Sequence, residues 1–263
     1  ATLLMFVAMM VLLASGLPVV FVLGGVALLF GYSMWGPASL NVVVAAASDL
    51  LRANLLVAVP LFVFMAYMLE KSGIAEDLYG VMHRWMGGLK GGLAAGTVVG
   101  CTFVAAMSGI STTGVLMMGI IGLPAMLRRN YDKRIAMGCI MAGGALGPLI
   151  PPSVVLIIYS LLSGQSIGKL FVGGIIPGLL LAGIFITYIL IRCFFNPSLG
   201  PALPAEDRAT WREKFIALRG IILPVMIVCG VLGSLFLFVA TPTEAASVWA
   251  LGAVVSAGIY RRL

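Results

Sequence analysis

Residues 91–127 read GGLAAGTVVGCTFVAAMSGISTTGVLMMGIIGLPAML, and the reading of this stretch decides the fold. It is apolar apart from a polar tip, Ser108-Gly109-Ile110-Ser111-Thr112-Thr113, near its middle. Lys90 and Arg128-Arg129 flank it. Each limb is about 16 residues, or ~24 Å of helix, slightly short of the ~30 Å hydrocarbon core of a bilayer. Two short limbs with basic residues at both feet predict a re-entrant hairpin whose tip stops inside the membrane. Two ordinary short spans would also bring Lys90 and Arg128 to one side. The tip decides: small and hydroxylated residues without charge make a poor external loop and a good buried ligand site.

The composition demands a membrane. The chain has 263 residues, 62% apolar and 10% charged, against about 25% charged in an average soluble domain. Its mean hydropathy is +1.16. A soluble globule and a disordered chain are both excluded, and the apolar runs are too long and continuous for the ~10-residue alternation of a β-barrel. The net charge of +7 sits in short clusters between apolar runs, as in cytoplasmic loops, so it does not point to nucleic acid. Cys101, Cys139, Cys193 and Cys229 lie scattered in apolar stretches without paired spacing and read as small buried hydrophobes.

Next to the hairpin, residues 131–165 form one span cut in half by Gly143-Gly144 and Gly147-Pro148-Leu149-Ile150-Pro151-Pro152-Ser153. Three prolines in five residues do not fit a regular helix, and the freed backbone groups need partners in the protein or on a bound ion. Residues 73–90 precede the hairpin, with apolar positions Ile74, Leu78, Val81, Met82, Trp85 and Met86 at helical spacing. They predict an amphipathic helix at the membrane surface. Residues 1–72 hold the N-terminal scaffold spans. Their first run, Thr2 to Tyr32, would be ~46 Å as one helix, so Ser15-Gly16-Leu17-Pro18 must break it. Asn41 to Arg52 is a mixed interfacial segment, and Leu55 to Leu69 a span ending at Glu70-Lys71. Residues 168–195 are a span and 196–214 a polar cytoplasmic linker. Residues 215–263 hold a span from Phe215 to Ala240, the turn Thr241-Pro242-Thr243-Glu244, and a last span to Tyr260.

Of the 16 lysines and arginines, only Arg52 and Lys169 fall opposite the hairpin feet. The positive-inside rule therefore makes the feet cytoplasmic and the N-terminus external. Residues 2–31 and 221–258 each read as span, Pro-containing break, Gly/Ala-rich span, one entering from outside and the other from inside. That is the inverted-repeat pattern of secondary transporters. The expected fold is an all-α polytopic membrane protein with a re-entrant hairpin and a proline-broken helix. The second repeat stops at Leu263 before a hairpin of its own, so the chain is read as rather more than half of a larger protein.

The tip and the break together make the candidate site. Ser108, Gly109, Ser111, Thr112 and Thr113 would face Gly144, Leu146, Gly147 and Ser153, with Pro148, Pro151 and Pro152 holding the break open. Hydroxyl and carbonyl oxygens suit Na⁺, here expected at Ser108, Gly109, Ser111, Gly144, Leu146 and Pro148, and a helix N-terminus with hydroxyls suits a carboxylate. His83 reads as a solvated or headgroup-facing ring. Glu244 reads as a helix N-terminal stabiliser. An intramembrane serine protease would need a base at tip depth, where there is none, and a channel would need a charged filter ring.

Met107-Ser108-Gly109-Ile110-Ser111, Leu123-Pro124-Ala125-Met126, Tyr131-Asp132-Lys133, Gly147 to Ser153 and Thr241-Pro242-Thr243-Glu244-Ala245, with Gly16-Leu17-Pro18-Val19 at the start, resemble the large membrane subunit of tripartite ATP-independent periplasmic (TRAP) transporters. The resemblance runs in order along the whole chain. It implies an elevator-type, Na⁺-coupled importer of organic acids such as dicarboxylates in a bacterial inner membrane. It also implies a small four-helix membrane partner, a periplasmic substrate-binding protein, no enzymatic activity, and Na⁺ as coupling ion with no other cofactor. The tip departs from the family's usual Ser-Gly-Ser-Ser because Ile110 stands third. Side-chain ligation is impossible there, but backbone ligation survives. The nearest alternative is an ion-coupled anion permease of the same plan that works without a binding protein.

Overall fold

The computed structural model describes residues 2–204, 209–237 and 239–259. Arg208, Arg261 and Arg262, counted above among the basic residues on the hairpin-foot side, lie outside them, as does Tyr260. The described residues contain thirteen α-helices and no strand. They divide into two units, Ala1–Ala53 and Asn54–Leu263.

The first unit holds α1 (Thr2–Ala14), α2 (Val19–Trp35) and α3 (Ala38–Leu51). The long apolar run breaks where expected. Gly16 adopts φ 81°, a left-handed conformation that costs glycine nothing, and Pro18 precedes the first turn of α2. The mixed segment after residue 40 is helical throughout, as part of α3. Few side chains are buried (Val22, Val26 and Ser39 among them), while Leu3, Phe6, Val20, Phe21 and Leu29 are exposed. Apolar surface of that extent suits hydrocarbon better than water.

In the second unit, α4 (Asn54–Lys71) packs along α13 (Pro242–Ile259). Small buried residues, Ala58 and Ala66 on α4 and Ala246, Ala250 and Ala253 on α13, let the two helices approach closely. The hairpin forms from α6 (Gly92–Ser108) and α7 (Ser111–Leu127). The Cys101 thiol lies 3.8 Å from the Gly114 carbonyl, and Thr97 lies beside both Gly122 and Met126. Contacts that spread symmetrically about Gly109-Ile110 define an antiparallel pair.

Within the stretch read as an amphipathic helix, α5 runs Ile74–Met86, and it covers the hairpin rather than only a membrane surface. Leu78, Tyr79 and Val81 are buried. Gly96 and Gly122 leave room for Met82 and Tyr79 respectively. Glu76 and Asp77 in its first turn and His83 and Arg84 in its last complement the helix dipole.

After the hairpin come α8 (Lys133–Gly144), α9 (Val154–Ser163) and the 29-residue α10 (Ile167–Phe195). By length and hydropathy, α10 can cross a bilayer as one continuous helix. The stretch read as a linker is partly built into the fold. The Gly91 N–H donates to the Gly200 carbonyl (2.8 Å), Asp132 N–H to Leu199 (3.0 Å) and Leu203 N–H to Gly87 (2.9 Å), which ties residues 199–203 to the hairpin feet.

The helix that contains Phe215 begins earlier, at Trp211, and is interrupted before the main apolar run. Thr210 and Glu213 form a capping box that opens α11 (Trp211–Leu218), whose Trp211 and Phe215 rings meet Trp85 of α5 edge-on. A 3-10 turn, Arg219–Ile221, then leads into α12 (Ile222–Phe236). The same box recurs at Thr241, whose N–H (2.8 Å) and hydroxyl (2.7 Å) both donate to Glu244 at the start of α13. This is the helix-stabilising role expected of Glu244.

Candidate functional site

The polar tip is a two-residue break. Ser108 closes α6, Gly109 turns the chain at φ 63°, and extended Ile110 (φ −128°) leads into α7. The Ser108 hydroxyl is buried and folds back on the turn, lying 3.3 Å from both the N–H and the carbonyl of Ile110. The Ile110 side chain offers no oxygen to cap α7, so the first-turn N–H groups have no side-chain acceptor among the described residues. Thr112 is exposed, and Ser111 and Thr113 are half-buried. Their three hydroxyls make no hydrogen bond among the described residues.

The break runs from the end of α8 to the start of α9. Its residues 145–150 form overlapping turns in which Leu146, Gly147 and Ile150 are buried, Leu146 inaccessible. Ser153 caps α9 by accepting from the Leu156 N–H, and its own hydroxyl donates to the Pro148 carbonyl at 2.9 Å. The Gly144 carbonyl accepts from Gly147 (3.2 Å), and that of Leu146 accepts from both Leu149 and Ile150 (3.0 Å each). Gly144 and Pro148 therefore each keep a second lone pair for another donor or a cation. The Pro151-Pro152 peptide is cis.

Tip and break meet backbone to backbone. A Cβ on Gly109 would sit 2.5 Å from the Pro152 carbonyl oxygen and 2.9 Å from the Ser153 Cα. One on Gly147 would sit 2.9 Å from the Ile110 carbonyl carbon and the Ser111 nitrogen. One on Gly144 would strike the Val115 side chain and come within 3.2 Å of the Ser111 carbonyl oxygen. Farther down the limb, a Cβ on Gly143 would come within 2.6 Å of the Cys101 Cβ. The glycines read from the sequence as break residues are thus the close-approach points of a seam. Ser108, Gly109, Ser111, Gly144, Gly147, Pro152 and Ser153 come together there. Thr112, on the exposed face of α7, and the inward side chain of Leu146 lie off the direct contacts.

The sequence reading missed the far wall of the break. Gly174 and Gly178 on α10 receive Leu149 and Ile150: Cβ atoms there would stand 2.5 Å from the Leu149 carbonyl oxygen and 2.7 Å from the Ile150 Cγ1. The signal was present as two glycines four apart beside Pro177 in a long apolar helix, a pattern of close packing. The break is therefore held between the hairpin tip and α10.

Electrostatically the seam sets the start of α7, a positive dipole end with spare hydroxyls, against the end of α8, a negative one. Such an arrangement can hold an anionic oxygen and a hard cation within one small volume. Among the described residues no three His, Cys, Asp or Glu side chains converge, so a cation here would rest on neutral oxygens. At the hairpin foot, the Leu93 N–H donates to the Tyr131 hydroxyl at 3.3 Å. His83 is half-buried and, with Arg128 and Arg129, lines an open cavity of about 620 Å³ between the foot and residues 201–204.

Comparison with known proteins gives one consistent result. The family model for the tripartite ATP-independent periplasmic transporter, DctM component, matches residues 6–263. The C4-dicarboxylate TRAP transporter large permease protein DctM of Vibrio cholerae is 34% identical over 257 residues, 95% of this chain and 54% of that protein. The ectoine TRAP transporter large permease protein TeaC of Halomonas elongata is 32% identical, across 96% of this chain and 58% of its own length. A C4-dicarboxylate large permease protein of Rhodobacter capsulatus is 30% identical, across 100% of this chain and 62% of its own. The chain thus spans little more than half the length of these relatives.

Proposed function

Because the chain belongs to the DctM component family of tripartite ATP-independent periplasmic transporters, a family of transport components and not of enzymes, we propose that it supplies the first half of the transport site of a Na⁺-coupled organic-acid importer. The observation that carries this reading is the seam between tip and break. The backbone of Gly109, Ile110 and Ser111 lies against the break, and Ser111 and Thr113 beside it carry hydroxyls without a partner among the described residues, in a chain whose composition demands a bilayer. The hydroxyls of Ser111 and Thr113 and the remaining lone pairs of Gly144 and Pro148 hold Na⁺, and the α7 N-terminus faces the substrate carboxylate. The hairpin, α8, α9 and α10 move as one body past the scaffold in an elevator step.

The repeat of helix, break and helix in α1–α2 and α12–α13 is the start of two inverted halves. The protein lies in a bacterial inner membrane with the hairpin feet cytoplasmic. It works with a small four-helix membrane subunit and a periplasmic binding protein that delivers the substrate. Relatives are named for C4-dicarboxylates, ectoine and 2,3-diketo-L-gulonate. All three carry a carboxylate, one of the anionic groups that a helix N-terminus binds, and a further relative is named for isethionate, a sulfonate that the same helix end suits.

The test is uptake into proteoliposomes that contain the full-length permease and its membrane partner, with a C4-dicarboxylate, ectoine and 2,3-diketo-L-gulonate as candidate substrates. Uptake of one of them should require both an inward Na⁺ gradient and the binding protein. Uptake that is indifferent to Na⁺ would overturn the coupling. Uptake of free substrate without the binding protein would favour a partner-independent permease.

A further inference from the structure

A second cavity, of about 600 Å³, lies away from the seam between α8 and α10. Its walls are two helical stripes. Arg134, Gly138 and Ala142 recur every four residues on α8, and Ile184, Tyr188 and Arg192 do so on α10. The helices run antiparallel here, so the two arginines share one end and the apolar residues extend ~12 Å away from them. Both guanidiniums are exposed, and neither has an ion-pair partner among the described residues. One acid, Asp132, also lines the cavity. Its carboxylate accepts from the Arg134 and Ile135 N–H groups at 2.8 and 3.4 Å, where it caps α8. Gly138 leaves the floor of the groove open, since a Cβ there would meet nothing within 4 Å.

We propose that this groove binds one anionic phospholipid, its phosphate between Arg134 and Arg192 and one acyl chain along Gly138 and Ile184. The charge pattern selects the occupant. A helix seated here would have to carry its own acids to cover two guanidiniums, whereas an anionic lipid joins a negative head to an apolar tail in the order the groove presents. The arginine end lies level with the basic hairpin feet, on the side that the positive-inside rule assigns to the cytoplasm, where anionic headgroups concentrate. The inference rests on that orientation and is independent of which substrate is carried. A lipid bound there would bridge α8, which leads into the break, to α10, which packs against it.

The experiment is native mass spectrometry of the purified full-length permease in detergent with added phosphatidylglycerol or phosphatidylcholine. Wild type should retain phosphatidylglycerol preferentially. Arg134→Gln with Arg192→Gln, two exposed changes, should weaken phosphatidylglycerol retention by roughly 30-fold, the combined effect of two basic groups at a membrane surface. Gly138→Leu should plug the groove and displace the lipid with both arginines intact. Glycerol 1-phosphate should not compete. Equal retention of the two lipids by wild type, unchanged retention in the double variant, or displacement by glycerol 1-phosphate would each overturn the proposal.

Discussion

The sharpest structural consequence of the seam lies at Gly109, where conformation and space are both demanding. Gly109→Ala puts a methyl group at φ 63° and within 2.5 Å of the Pro152 carbonyl oxygen. The left-handed conformation costs a residue with a Cβ about 1–2 kcal/mol. Forcing a methyl group into a filled contact costs roughly another 1–3 kcal/mol. The stiffer unfolded chain offsets about 0.4–1 kcal/mol. The net expectation is a loss of about 2–4 kcal/mol. Two further variants separate the contributions. Gly164 shares the left-handed conformation (φ 66°) with nothing within 4 Å, so Gly164→Ala meets the backbone cost alone, net about 1 kcal/mol. Gly147→Ala meets the crowding against Ile110 and Ser111 without a positive φ, net about 1–2 kcal/mol. The assay is denaturant unfolding of the purified permease in micelles, followed by tryptophan fluorescence. If Gly109→Ala is no worse than Gly164→Ala, the tip does not rest on Pro152 and the seam is refuted.

Three further outcomes follow from neighbouring groups. Ser153→Ala removes the α9 cap and the donor to Pro148, so it should destabilise by about 0.5–2 kcal/mol in the same unfolding assay. Tyr79→Phe should be neutral or stabilising: the Tyr79 hydroxyl is buried without a partner among the described residues, burial pushes it up to about 12, and an unmatched buried polar group costs roughly 1–3 kcal/mol. The Glu213 carboxylate is held below the usual carboxylate range by the N–H and hydroxyl of Thr210. Its capping contribution is therefore present above the unfolded carboxylate value and lost as pH falls through the lower folded one. Acid titration should change the fluorescence of Trp211 against Trp85 in wild type and not in Glu213→Gln.

Where the signal was local, the sequence was legible. Gly16 with Pro18, the acidic first turn of α5, the Ser-Gly turn at 108–109 and the prolines of the break are decided within a few residues of themselves, and the helices begin and end there. What was not legible was tertiary. The amphipathic stripe of α5 looks the same whether it faces lipid or the hairpin, and only the room left by Gly96 and Gly122 shows that it faces the hairpin. Residues 199–203 look like a loose linker because their partners, Gly87, Gly91 and Asp132, are distant in sequence. The start of α11 at Trp211 was legible in principle. Thr210 and Glu213 repeat the Thr-x-x-Glu box that Thr241 and Glu244 display, but the apolar run beginning at Phe215 draws the eye past it.

The central claim, a Na⁺ site between hairpin tip and broken helix, is tested most directly without any substrate. The thermal midpoint of the purified full-length permease is measured across a NaCl titration, with KCl holding the ionic strength constant. A ligand that binds only the folded state raises the midpoint, so Na⁺ should stabilise the wild type where K⁺ does not. In Ser111→Ala, which removes one unpartnered hydroxyl and little volume, half-maximal stabilisation should need roughly 5- to 150-fold more Na⁺, the equivalent of about 1–3 kcal/mol for a buried polar partner left unmatched. No difference between Na⁺ and K⁺ in the wild type, or the same Na⁺ dependence in Ser111→Ala, would contradict the account.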